Sequence, residues 1–340
     1  MRLVLAATFF LLAGAAARAE GALSIYAWGN SVSPDLIDRF EAAYNVKVSI
    51  SEYDDDASAL DKARSGNADF DIAAPSQINL PLWIREGLAL PTHPGGMENG
   101  KYLSSDWTNP DFDPGRVYSA PWQLGTVGIA VNTNVYKGPL DSWSVIFNPP
   151  DALKGKINVV PEMDEVIFAA IAYNGGVLCT DDPQTLTKAR DTLLEARKNW
   201  KPMAYGTIEK MLTGEIAATV DWNGSALRKR LQNPAVRFVQ PKEGMPVWSD
   251  NIVVVRGAKN LQNALLFQNF IMQPKNAAMI SAFTKHSNGI AGSERFLPAD
   301  IKGAPELAIA PHARANAVKM KTCDPATEEL YRYIWAEIRD

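Results

Sequence analysis

Short apolar strands alternating with amphipathic helices along 340 residues predict an α/β protein. We expect two lobes, two crossover strands and an interlobe cleft. Three observations carry that prediction. The chain opens strand, helix, strand from Leu23 to Ile50. Its length exceeds what one hydrophobic core usually serves. Two separate pieces, Val220-Asp221-Trp222 and Trp248-Ser249-Asp250, set an indole beside a carboxylate at the edge of an apolar β-type run. The expected division places 20–129 with 250–297 in lobe 1 and 130–249 in lobe 2, with the closing helix packed on one of the two.

Residues 1–19 read as a signal peptide. Arg2 gives the positive start, Leu3 to Ala13 the short apolar run, and Ala17-Arg18-Ala19 the small-x-small cleavage site before Glu20. The product is expected to be soluble outside the cytoplasm. Without those residues 32 basic side chains face 38 acidic ones, which argues against nucleic acid as a partner. Cys179 and Cys323 sit where disulfides persist, so a pair is expected; two unpaired thiols are the rival reading.

Leu23 to Ala27 alternates as a strand and leads into Trp28-Gly29-Asn30. Ser33 can cap a helix that begins with Pro34, and Leu36, Ile37, Phe40 and Tyr44 recur at helical spacing. Val46 to Ile50 is the next strand, 54–65 a second helix, and Phe70 to Ala74 a third strand ending at Pro75-Ser76. Residues 87–118 are loop-rich, with no recognisable chemistry. Tyr118 to Asn132 contains Gly125 and Gly128 and reads as the first crossover, the glycines easing a hinge. Beyond it come a buried turn at Trp143 to Phe147, a strand from Lys156 to Val160, a helix from Val166 to Tyr173, and a long helix from Leu186 to Trp200. Glu215 to Val220 delivers the chain to Trp222. Ser225 to Gln232 is a basic helix with a solvated face, Trp248 to Val255 the second crossover, and an Asp324-capped helix closes the chain.

An aromatic face attracts a cation and a carboxylate fixes it by charge-assisted hydrogen bonds, so Asp221 with Trp222 and Asp250 with Trp248 together describe an ammonium seat. Equally, each Trp could be core and each acid a strand-end turn. In such sheets ligands bind beyond the carboxyl ends of the strands, the position of Trp28 and Ser76. Ser76 also suits a helix cap. Glu162, Asp164 and Glu165 precede or open a helix, as dipole partners or as ligand contacts.

Leu23 to Trp28, Asp69 to Ser76, Pro121 to Asn132, Trp222-Asn-Gly-Ser225, Pro241-Lys-Glu-Gly244 and Trp248-Ser-Asp250 resemble, in order and spacing, the spermidine/putrescine-binding periplasmic proteins of ABC transporters. The resemblance spans the mature chain and implies a type II periplasmic binding protein fold, with two lobes joined by crossing strands and a C-terminal segment, 298–340, returning to lobe 2. It implies Trp28, Trp222 and Trp248 as aromatic walls, Ser76 as a hydrogen-bonding residue, and Glu162, Glu165 and Asp250 as amine-binding acids. His286 stands where the family has a Tyr of its aromatic box. Ser31 and Ile78 replace two further Tyr residues, and Lys321 falls near a family Gln.

The implied function is capture of a small-molecule amine by hinge closure, by a monomer serving a membrane permease, with no cofactor and no metal. A zwitterionic ω-amino acid such as 4-aminobutyrate is the competing ligand, since one ammonium seat serves either. The competing class is a secreted hydrolase using Glu162 with Glu165, or Asp221 with Asp250. No nucleophile elbow, zinc helix or phosphate loop supports it. A ligand-dependent sensor subunit is a third possibility.

Overall fold

A computed structural model describes residues 21–66 and 68–339; the expected signal peptide at 1–19 lies outside them. Strand β1 (Gly21–Trp28) shows the period-two pattern. Leu23, Ile25 and Ala27 enter one core with Phe40 and Phe267, while Tyr26 enters another with Tyr53, Phe70 and Trp83. Both faces of this part of the sheet are therefore covered.

Helix α1 (Pro34–Tyr44) begins at Ser33, whose Oγ accepts the Leu36 N–H, and ends at Asn45 in the left-handed conformation. Strand β2 (Val46–Tyr53) returns parallel to β1. Asp55 caps α2 (Asp56–Arg64), accepting the N–H groups of Ala57 and Ser58. The third strand, β3 (Ile72–Ala73), is shorter than 70–74 and lies parallel on the other edge of β1. After α3 (Leu80–Arg85) the loop-rich stretch contains four short 3₁₀ turns before β4 (Ser119–Asn132).

The buried turn at Trp143 is one helical turn, α4 (Ser144–Phe147). Then follow β5 (Ile157–Asn158), α5 (Met163–Tyr173), α6 (Pro183–Arg197), α7 (Thr207–Leu212), β6 (Ala218–Trp222), α8 (Asn223–Gln232), β7 (Val236–Val239) and β8 (Met245–Val254). Helices α9 (Leu261–Ile271), α10 (Pro274–Thr284) and α11 (Pro311–Arg314) precede β9 (Ala317–Lys319) and α12 (Pro325–Arg339). Asp324 caps α12 through the N–H groups of Ala326 and Thr327. Tyr331, Ile334, Trp335 and Ile338 seat it on the core of the second half.

The strands run in the order β2-β1-β3-β8-β4-β6-β5, with β7 beside β4 and β9 beside β8. Strands β4 and β8 are the two crossovers. They pair antiparallel from Ser119 opposite Val253 to Thr126 opposite Val247, with a register shift at Trp122. Past Thr126, β4 turns to β6 and β7, while the far end of β8 pairs with β3. Each half thus owns one end of each crossover.

The chain passes between the halves a third time, after the 3₁₀ turn Ser293–Phe296. Leu297, Ile301 and Ala304 pack with Leu227 of α8, and the chain then lays β9 parallel on Met245 to Val247. Cys323 follows directly and is bonded to Cys179, closing a separation of 144 residues.

Two expectations change. Gly125 and Gly128 have no left-handed φ, so backbone freedom is not what they supply. A Cβ at Gly125 would lie 2.3 Å from Trp248 Cζ2, and one at Gly128 2.3 Å from the Val239 carbonyl; they are small because neighbours press in. Helix α8 is not wholly a solvated face either. Lys229 is fully buried, with Nζ 2.8 Å from Asp221 Oδ2 and 3.0 Å from Ser225 Oγ. Three consecutive residues of a helix point in directions about 100° apart, so one of Arg228, Lys229 and Arg230 had to face inward.

Candidate functional site

The candidate residues stand where strands of both halves end or helices begin. Trp28 closes β1, Ser76 follows β3, Trp222 closes β6, Glu162 and Glu165 open α5, and Trp248 and Asp250 lie in crossover β8. This is the crevice beyond the carboxyl ends of the strands, completed by a strand shared between halves.

On the first half, Trp28 packs against Tyr53 with ring centroids 4.9 Å apart, and the Tyr53 hydroxyl donates to the Ala74 carbonyl at 2.7 Å. Ser76 forms an antiparallel bridge with Asp250. Its N–H donates to Asp56 Oδ2 at 3.2 Å, and Asn79 Nδ2 donates to the same oxygen at 2.9 Å. Asp250 accepts Gln123 Nε2 at 2.7 Å. Asp56 Oδ1 and Gln123 Oε1 are buried acceptors without a hydrogen-bond partner among the described residues.

On the second half, Tyr205 donates to Glu162 Oε1 at 2.6 Å, and its ring stacks on Trp222 at 6.2 Å and 13°. The Trp222 indole in turn lowers the pKa of Glu165 against the effect of its burial. One acid and one indole are thus held by a single tyrosine.

The two halves share one electrostatic problem. Burial raises Asp250 to about 8, with the charges of Asp56 and Glu165 adding to it against the Gln123 hydrogen bond. Burial also raises Glu162 and Glu165, each pushed further by the other or by Asp164 and by Asp56 across the cleft. Asp56 is raised as well, by burial, against hydrogen bonds from Ser76 and Asn79. Among the described residues none of these four acids forms an ion pair with Lys or Arg. Buried like charges disfavour ionisation unless a cation joins them.

His286 reaches this site through its neighbours. Its ring meets Trp248 edge-on at 4.9 Å, its Nδ1 is 3.0 Å from Asn223 Oδ1, and burial drives its pKa down to about 3. A neutral imidazole therefore props Trp248 from behind. A side chain on Gly224 would collide with that ring. Ser31 turns back to the Trp28 carbonyl, Ile78 packs near Phe168 and Met320, and Lys321 lines a separate cavity of about 310 Å³. Asp221 is held by buried Lys229, so no acid pair of Asp221 with Asp250 is available. Among the described residues no cluster of three or more His, Cys, Asp or Glu has the arrangement of a metal site.

Sequence reasoning missed Asp56, Gln123 and Tyr205. Asp56 sits in the run Asp54-Asp55-Asp56, and nothing in a run of acids marks the one that is buried. Gln123, inside a quoted stretch, had its signal in the alternation of β4, which pairs it with Asp250.

Residues 35–309 match the family described as bacterial extracellular solute-binding protein. The chain is 29% identical over 299 residues to spermidine/putrescine-binding periplasmic protein 1 of Haemophilus influenzae, covering 87% of this chain and 82% of that one. It is 25% identical to the putrescine-binding periplasmic protein SpuD of Pseudomonas aeruginosa, over 96% of this chain and 95% of the relative. A solved chain from Listeria monocytogenes, provisionally named a spermidine/putrescine ABC transporter, superposes with a TM-score of 0.86 at 27% identity, covering 94% of this chain and 98% of its own.

Proposed function

This chain belongs to the bacterial extracellular solute-binding protein family, and on that premise we propose that it is the periplasmic receptor of an ABC importer for a small cationic amine of the putrescine/spermidine type. One observation supports the reading: Asp250, Glu165 and Glu162, at strand and helix ends of both halves, feel one another's charge beside the indoles of Trp222 and Trp248, and none has a basic partner among the described residues. An ammonium at each end of a ligand neutralises them, and rings take its methylenes. The acids of a hydrolase would need a bond to cleave; these are arranged to be neutralised, and the role is binding without catalysis.

The lobes we propose are 20–129 with 250–297, and 130–249 with 298–340. Ligand docks on one lobe and the other swings over it, because contacts to the acids of both lobes exist only when they face each other. The membrane permease then meets the loaded form of a monomer, freed from its signal peptide. Trp28, Trp222 and Trp248 form the walls, and Ser76, Glu162, Glu165 and Asp250 the polar contacts.

Calorimetric titration with putrescine, spermidine, agmatine and 4-aminobutyrate tests the reading. Diamines are expected to bind, and Asp250→Asn to weaken them by about 2–5 kcal/mol, the scale for breaking a buried charge pair. Binding of 4-aminobutyrate alone would replace the ligand class, and cleavage of an amide or ester substrate would replace the function.

A further inference from the structure

We propose that Asp56 is a fourth amine-binding carboxylate, which with Asp250 makes the lobe 1 wall a two-acid seat and selects ligands charged at both ends over zwitterions. The inference rests on the cleft being a cation site and adds what decides the substrate class.

Asp56 has no capping duty to explain its charge. Asp55 already serves the open N–H groups of α2 through Ala57 and Ser58. The Asp56 carboxylate instead crosses to the next strand–helix connection, where one oxygen takes the Ser76 N–H and Asn79 Nδ2. Both donors would be served by the neutral oxygen of an Asn. A carboxylate 8% exposed, set among three other acids, is a costly clamp unless its charge is used.

Its second oxygen points to that use. Asp56 Oδ1 is buried without a partner, and so is Gln123 Oε1 beside Asp250. Two buried acceptors near adjacent acids call for N–H donors, and an ammonium brings three. Ser76 fixes the pair side by side, since its N–H holds Asp56 and its backbone bridges Asp250. The charge of Asp56 is felt by Asp250, by Glu162 and Glu165 across the cleft, and by Tyr53. A single ammonium satisfies one wall. With two acids on each side, a ligand carrying a carboxylate at its far end meets a repelling pair wherever it lies.

The test compares wild type, Asp56→Asn, Asp56→Glu and Asp250→Asn by calorimetry with putrescine and 4-aminobutyrate, alongside thermal melting of the empty proteins. Asp56→Asn is expected to weaken putrescine by at least about tenfold, the scale of one hydrogen bond to a charged group. Its 4-aminobutyrate affinity should hold or improve, so the ratio between the two ligands narrows. Asp56→Glu keeps the charge and should keep the preference. The empty Asp56→Asn protein should melt no lower at pH 8, having lost a buried like charge. A lower melting temperature with an unchanged ligand ratio would make Asp56 a structural clamp and overturn the proposal. Unchanged putrescine binding in Asp56→Asn, with binding lost in Asp250→Asn, also overturns it but leaves the cation site standing. Unchanged binding in both would remove the site itself.

Discussion

Gly125 shows how a site can depend on an atom that is not there. Trp248 lies across it so closely that a methyl group would sit 2.3 Å from Cζ2 and 2.6 Å from Asn223 Oδ1. Gly125→Ala is expected to cost about 1–3 kcal/mol of stability by overpacking, and to weaken amine binding by moving the ring. Denaturant unfolding and titration of one preparation check both; an unchanged affinity would remove Trp248 from the ligand wall. Residues such as Trp28, Trp222, Trp248 and Asp250 were legible because a large ring or an acid at a strand end is unusual. Gly125 was read as a hinge because a sequence shows a glycine but not its neighbour. Asp56 was hidden by the two acids before it.

Helix α8 shows what becomes visible only when an element is packed. Its basic run reads as surface, yet Lys229 is sealed against Asp221, with side-chain exposures of 0% and 2%. Lys229→Met leaves Asp221 buried and uncompensated, and should cost about 3–5 kcal/mol. Adding Asp221→Asn should restore much of that, because the pair as a whole contributes little net stability. Chemical denaturation of the single and double variants measures this, and an undiminished single variant would mean water already reaches Asp221. The strong periodicities of α1, α6 and α12 were readable, and so were the caps of α1 and α12 at Ser33 and Asp324, but not Asp182, which caps α6. The three-residue strand β9 was not, since it exists only by pairing with Met245 to Val247, some seventy positions earlier.

At the scale of the whole molecule the acids couple ligand to stability. Unfolded carboxyls titrate near about 4, whereas Asp250 is raised to about 8 and Glu162, Glu165 and Asp56 are raised too. Between those values the folded empty protein holds protons that the unfolded chain has shed, so stability is present at acid pH and lost as pH rises toward about 8. The empty protein should therefore melt higher near pH 5.5 than near pH 8.5, and a diamine should stabilise it more at the higher pH. Scanning calorimetry across that range decides, and a flat profile for the empty protein would mean the acids are ionised without a ligand. The Cys179–Cys323 bond acts at the same scale. With its ends 144 positions apart, chain entropy assigns it about 5 kcal/mol, so a reductant should lower the melting temperature with little change in amine affinity. Two halves and crossovers at β4 and β8 were legible from alternation and length. The third passage, near 297, came only from the family resemblance, because its residues make no periodic pattern.

That third passage limits how the protein can open. A door hung from one point can tumble, and one hung from two can still rack about their common line. Three attachments, with β9 laid against β8 and the tail fastened at Cys323, leave little but a swing about a single axis. In the hinge closure we propose, the opposing acid walls then return to the same alignment at every cycle. The span they can bridge is fixed by the arc of that swing, so molecular length becomes a criterion for admission alongside charge.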